Sequence, residues 1–206
     1  MRSFQISGKK HLFLTGSRSA GKSTLLAQLS DSLCQPGPPG QDCSLCQPDP
    51  PGQDCSLCQP APCCPPGHPI PGSQLPGITT QAVPQDRVLL KENNTETCAV
   101  IGRFLESLRS ASSSNRMRPV EDGFLSLGIP ALKRACSSSS QWVSIDELGY
   151  LETSCGSFQD AVRSLLDQKH VIAVLRSQAT PFLTELRSRE DAFVLSLIHI
   201  SEPTRH

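Results

Sequence analysis

The sequence predicts an α/β protein of three layers, with a mostly parallel sheet and helices on both faces. Three observations carry that expectation. Short apolar runs alternate with amphipathic helical stretches, a glycine-bounded turn separates the first run from the first helix, and a later apolar run ends in two adjacent carboxylates.

His11–Thr15 (HLFLT) is a short apolar run bounded by Gly16, as expected of a parallel strand buried on both faces. Leu25, Leu26, Leu29 and Leu33 then recur at helical spacing, which makes Lys22–Leu33 an amphipathic helix. Gly77–Val83 and Cys98–Ile101 read as short strands, and Val120–Cys136 as partly helical, interrupted by Gly128 and Pro130. Trp142–Ile145 is an apolar run that ends at Asp146. Ser157–Gln168 carries Phe158, Ala161, Val162, Leu165 and Leu166 on one helical face. Val171–Leu175 follows as a strand and Thr180–Arg187 as a short helix, with Thr180 as its cap and Pro181 in its first turn. Ala192–Val194 begins another strand.

Two segments break this pattern. Residues 34–76 are low in complexity: Gln35–Cys46 (QPGPPGQDCSLC) and Gln47–Cys58 (QPDPPGQDCSLC) differ only at Gly37 and Asp49, and a degraded copy starts at Gln59. So much Pro and Gly leaves little to bury and few regular hydrogen bonds to make, so the segment reads as a disordered insertion. Because loop-closure entropy grows only logarithmically with length, a folded domain tolerates it. Residues 195–206 (LSLIHISEPTRH) match the conceptual translation of a sequencing-library adapter and read as an artefactual tail. One domain over residues 9–194, interrupted by the insertion, is therefore expected.

Nineteen basic and nineteen acidic residues cancel, which excludes the strongly basic face that nucleic-acid binding requires. Met1–His11 has no apolar run, and no stretch approaches the roughly 18–20 apolar residues of a membrane span, so a cytoplasmic protein is expected. The ten cysteines would then remain reduced.

The chemistry concentrates in two motifs. Gly16-Ser17-Arg18-Ser19-Ala20-Gly21-Lys22-Ser23 satisfies G-x-x-x-x-G-K-[ST] between a strand and a helix. Its glycines permit a tight turn whose N–H groups face inward around phosphate oxygens, and the helix adds its positive N-terminal end. Lys22 would reach the β- and γ-phosphates, the Ser23 hydroxyl would bind Mg²⁺, and Thr24 would add a contact to the α-phosphate. Trp142–Glu147 has the form of a Walker B strand: Asp146 would orient metal-bound water, and Glu147 would polarise the water that attacks the γ-phosphate. Arg176, Arg187 and Arg189 follow and read as surface charge, with contact to the γ-phosphate as the alternative and Arg187 its foremost candidate. His170 reads as structural. Cys43-x-x-Cys46 and Cys55-x-x-Cys58, with Cys63, Cys64 and His68 nearby, have spacing that suits zinc, but that spacing follows from the duplication.

With both motifs in place, the chain resembles the small P-loop nucleoside-triphosphatases of the cancer-related NTPase type, which have bacterial, archaeal and vertebrate members. HLFLTGSRSAGKSTLL, PGITTQAV, GFLSLGIPALKRA, WVSIDELGYLE, FQDAVRSLLD and TPFLTELRSR carry the likeness, and IDELGYLE, with Gly149 and Glu152, is its most specific part. The resemblance implies a RecA/AAA-like P-loop fold and slow, broad hydrolysis of ATP, GTP and other nucleoside triphosphates to diphosphate and phosphate. It further implies that Lys22 and Ser23 hold phosphate and Mg²⁺, that Asp146 supports the metal and that Glu147 activates water. Relatives continue beyond the position of Val194 and have a short connection in place of the insertion. The alternatives are a nucleotide or nucleoside kinase, a nucleotide-gated binding module with incidental turnover, and a metal-binding repeat on an inactive fragment.

Overall fold

A computed structural model describes residues 2–17, 20–34, 75–104 and 117–197. In chain order these form α1 (Arg2–Ser7), β1 (His11–Gly16), α2 (Lys22–Cys34), β2 (Gly77–Val83), β3 (Arg87–Glu92), β4 (Cys98–Phe104) and β5 (Met117–Pro119). A continuous helical stretch follows, made of α3 (Glu121–Gly123), a π-helical turn (Phe124–Gly128) and α4 (Ile129–Ser137). The chain closes with β6 (Trp142–Leu148), α5 (Gly156–Gln168), β7 (His170–Leu175), α6 (Pro181–Arg187) and β8 (Ala192–Leu197). The reading of the Cys/Pro repeat, including its cysteines and His68, falls on residues outside those described.

The described strands form an eight-stranded sheet in the order β5-β4-β3-β2-β6-β7-β1-β8. The pairings β2–β6, β6–β7, β7–β1 and β1–β8 are parallel, whereas β2–β3, β3–β4 and β4–β5 form an antiparallel meander. Alternation along the strands splits the core between two faces. Phe13, Val143, Ile145, Val171 and Ala173 point to the side covered by the π-helical turn, α4, α5 and α6. Leu12, Leu14, Ile172 and Val174 point to the side covered by α2, through Leu26 and Leu29, with Phe4 of α1 beyond. The three layers expected from the sequence are therefore present.

β8 runs to Leu197 and pairs Leu195, Ser196 and Leu197 with Leu14, Thr15 and Gly16. Phe193 and Leu195 pack on the α2 side of the sheet while Val194 and Ser196 face solvent, a period-two pattern that continues across the expected end of the strand. Val120–Cys136 is not interrupted as expected. Gly128 and Pro130 sit where a helix takes them, the glycine packed against the Phe158 ring and the proline in the first turn of α4. Thr180 caps α6 as expected, its side-chain oxygen accepting from the Leu183 N–H at 3.2 Å.

Two contacts set β2 beside β6. Gly77 has φ +140°, and a Cβ there would lie 1.9 Å from the Ser144 carbonyl oxygen, so only glycine fits. Asn93, buried in the turn after β3, donates to the Leu75 carbonyl and to Ser144 Oγ, both at 2.9 Å, and accepts from Thr79 Oγ1. Gly77→Ala is expected to cost at least about 2 kcal/mol, because the added methyl meets backbone rather than a flexible side chain. Urea unfolding checks this as a lowered midpoint at unchanged m value.

Candidate functional site

Strand order determines which side chains meet at the C-terminal edge of the sheet. β7 lies between β1 and β6, and the rows run Leu14–Val174–Asp146–Thr79 across four strands. At the roughly 4.8 Å spacing of paired strands, the Asp146 position is about 10 Å from the end of β1. That distance is bridged by the loop and first turn that follow β1.

Gly21 has φ +79°, a conformation that L side chains rarely adopt, and its carbonyl accepts the Leu25 N–H at 2.9 Å as α2 begins. Lys22 folds over the loop, and its Nζ donates to the carbonyls of Gly16 at 3.1 Å and Ser17 at 2.7 Å while the residue is 8% exposed. Ser23 and Thr24 are exposed on the first turn of α2, and Ser23 hydrogen-bonds the Asp146 carboxylate. Arg18 and Ser19, both expected around phosphate, lie outside the described residues.

Burial pushes the Asp146 carboxyl up, the Ser23 hydrogen bond and the Lys22 charge oppose this, and the neighbouring Glu147 adds to it. Glu147 interrupts the β6–β7 register, since Asp146 pairs with Val174 and Leu148 with Leu175. Its N–H donates to Thr80 Oγ1 at 3.2 Å, and its carboxylate is ion-paired with Arg176 Nε, at the end of β7. Arg187, the arginine favoured from sequence, turns instead to the carbonyls of Arg176 and Gln178 and ties down the loop after β7. Arg187 sits in the last turn of α6, so its guanidinium meets those loop carbonyls directly. Arg189 pairs with Asp191 and Asp167. His170 caps the start of β7 against the Lys10 carbonyl at 3.0 Å and stacks near Trp142, a packing role as expected.

Two clefts adjoin here. One, of about 350 Å³, is lined by Gly16, Ala20–Thr24, Glu147, Arg176, Ser177 and Gln178. The other, of about 760 Å³, lies on the β2 side of Asp146. Ser23, Glu147 and Arg176 line both. Glu152, known from sequence only as part of the IDELGYLE stretch, lines the larger cleft while 2% exposed. Its Oε2 accepts the Gly149 N–H at 2.7 Å. Burial raises its carboxyl to about 7, against the opposing Gly149 hydrogen bond and Arg176 charge.

Ser23 and Asp146 present hard oxygen donors side by side, a set that suits Mg²⁺. Among the described residues no group of three or more His, Cys, Asp or Glu could hold a metal alone. The donor set fits a cation that takes one or two protein oxygens and completes its shell with phosphate and water.

The NTPase family matches residues 77–205, more than half of the chain, and the match includes β6 with both carboxylates. The chain belongs to this NTPase family. The Gly16–Ser23 loop precedes the matched span, so its role rests on its own geometry. The fold is that of P-loop NTPases. The crystal structure of THEP1 from the hyperthermophile Aquifex aeolicus superposes with a TM-score of 0.60 at 18% identity, covering 91% of this chain and 89% of that one. The solution structure of a human cancer-related nucleoside triphosphatase gives 0.59 at 20%, covering 93% and 90%. Comparison with curated protein sequences gives no significant match. No helix among the described residues is long and apolar enough to cross a membrane.

The raised Glu152 carboxyl has a consequence for the stability of this NTPase-family chain. A carboxyl with its folded value above the unfolded one contributes fully below about 4.5 and loses that contribution as pH rises through about 7. Glu152→Gln keeps an acceptor for Gly149 and removes the titration. From pH 5 to pH 8 the parent is expected to lose more than about 1 kcal/mol relative to the variant. Denaturant unfolding at both pH values measures the difference, and parallel pH profiles would count against it.

Proposed function

We propose that the protein is a Mg²⁺-dependent nucleoside-triphosphatase that converts ATP, GTP and related triphosphates to the diphosphate and phosphate. The observation that carries this reading is the convergence of Lys22, Ser23 and Glu147 on one cleft at the C-terminal edge of a parallel sheet, with Asp146 beside Ser23 in the cleft that adjoins it. The phosphates lie at the loop between β1 and α2, where the N-terminal end of α2 supplies positive potential. Lys22 exchanges its loop carbonyls for the β/γ-phosphates, a charge-assisted contact. Bound at Ser23 and Asp146, Mg²⁺ would neutralise charge that develops on the transferred phosphoryl group.

Glu147 orients and accepts a proton from the attacking water. Its partner Arg176 reaches into both clefts and is placed to transfer from Glu147 to the γ-phosphate, which frees the carboxylate for the water. Family membership supports the hydrolytic class, and a cytoplasmic site of action fits the substrates.

Phosphate release from ATP, GTP, CTP and UTP, with Mg²⁺ and with excess chelator, tests the proposal. Release is expected only with the metal. Glu147→Gln is expected to lower the rate by about 10²–10⁴-fold, the range of a positioned base, with affinity for triphosphate within a few-fold of the parent. Hydrolysis at the parental rate would remove the mechanism. Lys22→Ala is expected to weaken triphosphate binding severely in a folded protein, measured by calorimetry. Asp146→Asn is expected to impair both Mg²⁺-dependent affinity and turnover.

A further inference from the structure

One attacking water needs about 30 Å³ of space. The cleft on the β2 side of Glu147 offers about 760 Å³, within the range that holds small organic ligands. It adjoins the 350 Å³ cleft through the shared wall of Ser23, Glu147 and Arg176, so the two are consecutive compartments of one groove. A γ-phosphate seated between Lys22 and Glu147 would point its reactive face into the larger compartment.

The lining indicates what kind of molecule fits. Val88, Ile101, Phe104 and Met117 form an apolar wall with an aromatic ring, suited to a flat body. Thr80, Tyr150 and Glu152 supply hydrogen-bonding groups towards the Glu147 end. Among the described lining residues Arg176 is the one cation, and Glu147 already engages it. With Arg176 taken by Glu147 or by the γ-phosphate, the described lining offers no second cation to hold a further anion such as a monophosphate.

From this cavity and its lining we infer that the larger cleft is an acceptor site for an uncharged nucleoside, which takes the γ-phosphoryl group in competition with water. The inference rests on the reading of the triphosphate site given above. In the transfer, the nucleoside hydroxyl oxygen forms the new bond to the γ-phosphorus. The bond from that phosphorus to the β–γ bridging oxygen breaks, and the nucleoside diphosphate leaves with the electron pair. The hydroxyl proton passes to Glu147, as the proton of water does in hydrolysis.

The test uses the full chain with Mg²⁺ and ATP labelled at the γ-phosphate. Adenosine, guanosine, cytidine and uridine are supplied in turn, then their 5′-monophosphates, and the products are separated by chromatography. Label is expected in at least one nucleoside and in none of the monophosphate acceptors. Ala82→Trp fills the cleft from an exposed position on β2 and is expected to lower the ratio of transferred to released phosphate at least tenfold. Label found only in free phosphate would overturn the acceptor site and leave the hydrolase standing, whereas label in neither product would overturn both. Transfer to the monophosphates, or an unchanged ratio in Ala82→Trp, would also overturn the assignment.

Discussion

The insertion of β7 between β1 and β6 is the constraint on which the rest of the molecule depends. β7 is buried from Val171 to Leu175 and pairs in parallel on both sides, so it can sit only in the middle of the sheet. Its alternating side chains stitch the two cores together, with Ile172 and Val174 facing α2 and Val171, Ala173 and Leu175 facing α4–α6. Parallel pairing also brings β1 and β6 to their C-terminal ends at one edge. The turn after one strand and two carboxylates on the other are therefore brought to the same edge of the sheet.

That groove concentrates charge in a way the remainder of the fold avoids. Lys22 is buried and satisfied by two loop carbonyls, Asp146 is held by Ser23, and Glu152 is buried against the Gly149 N–H. Each is tolerable because a specific partner replaces water, and the two carbonyls that accept from Lys22 are groups that phosphate oxygens could in turn replace. Packing elsewhere among the described residues is mostly apolar, and the buried Asn93 beside β2 is met by hydrogen bonds within the fold. Local rules are broken where chemistry is expected, as in other folds whose sites are built at some cost to stability.

Much of this was legible in the sequence. The P-loop turn, β2, the cap and proline of α6, and most of α5 appear close to their predicted positions because each has a strong local signal: glycine spacing, β-branched content or helical periodicity. The meander was less legible. Arg87–Glu92 is charged at both ends, and the hairpin into it turns through Gln85 at φ +58° rather than through a glycine or asparagine. The choice between Arg176 and Arg187 depends on where a loop carbonyl points, which no spacing reveals. Glu152 carried no such signal, since a carboxylate in a turn-rich stretch is ordinarily solvated, and its burial follows from packing of the Leu151–Ser154 turn.

The account turns on phosphate binding at the turn between β1 and α2. Amide chemical shifts of ¹⁵N-labelled protein, titrated with Mg²⁺ and a non-hydrolysable triphosphate, test that placement directly. The largest changes are expected at Gly21, Lys22, Ser23 and Thr24, with smaller ones at Glu147 and Arg176. Saturable changes elsewhere with those four amides unmoved would place the nucleotide at another site and contradict the account.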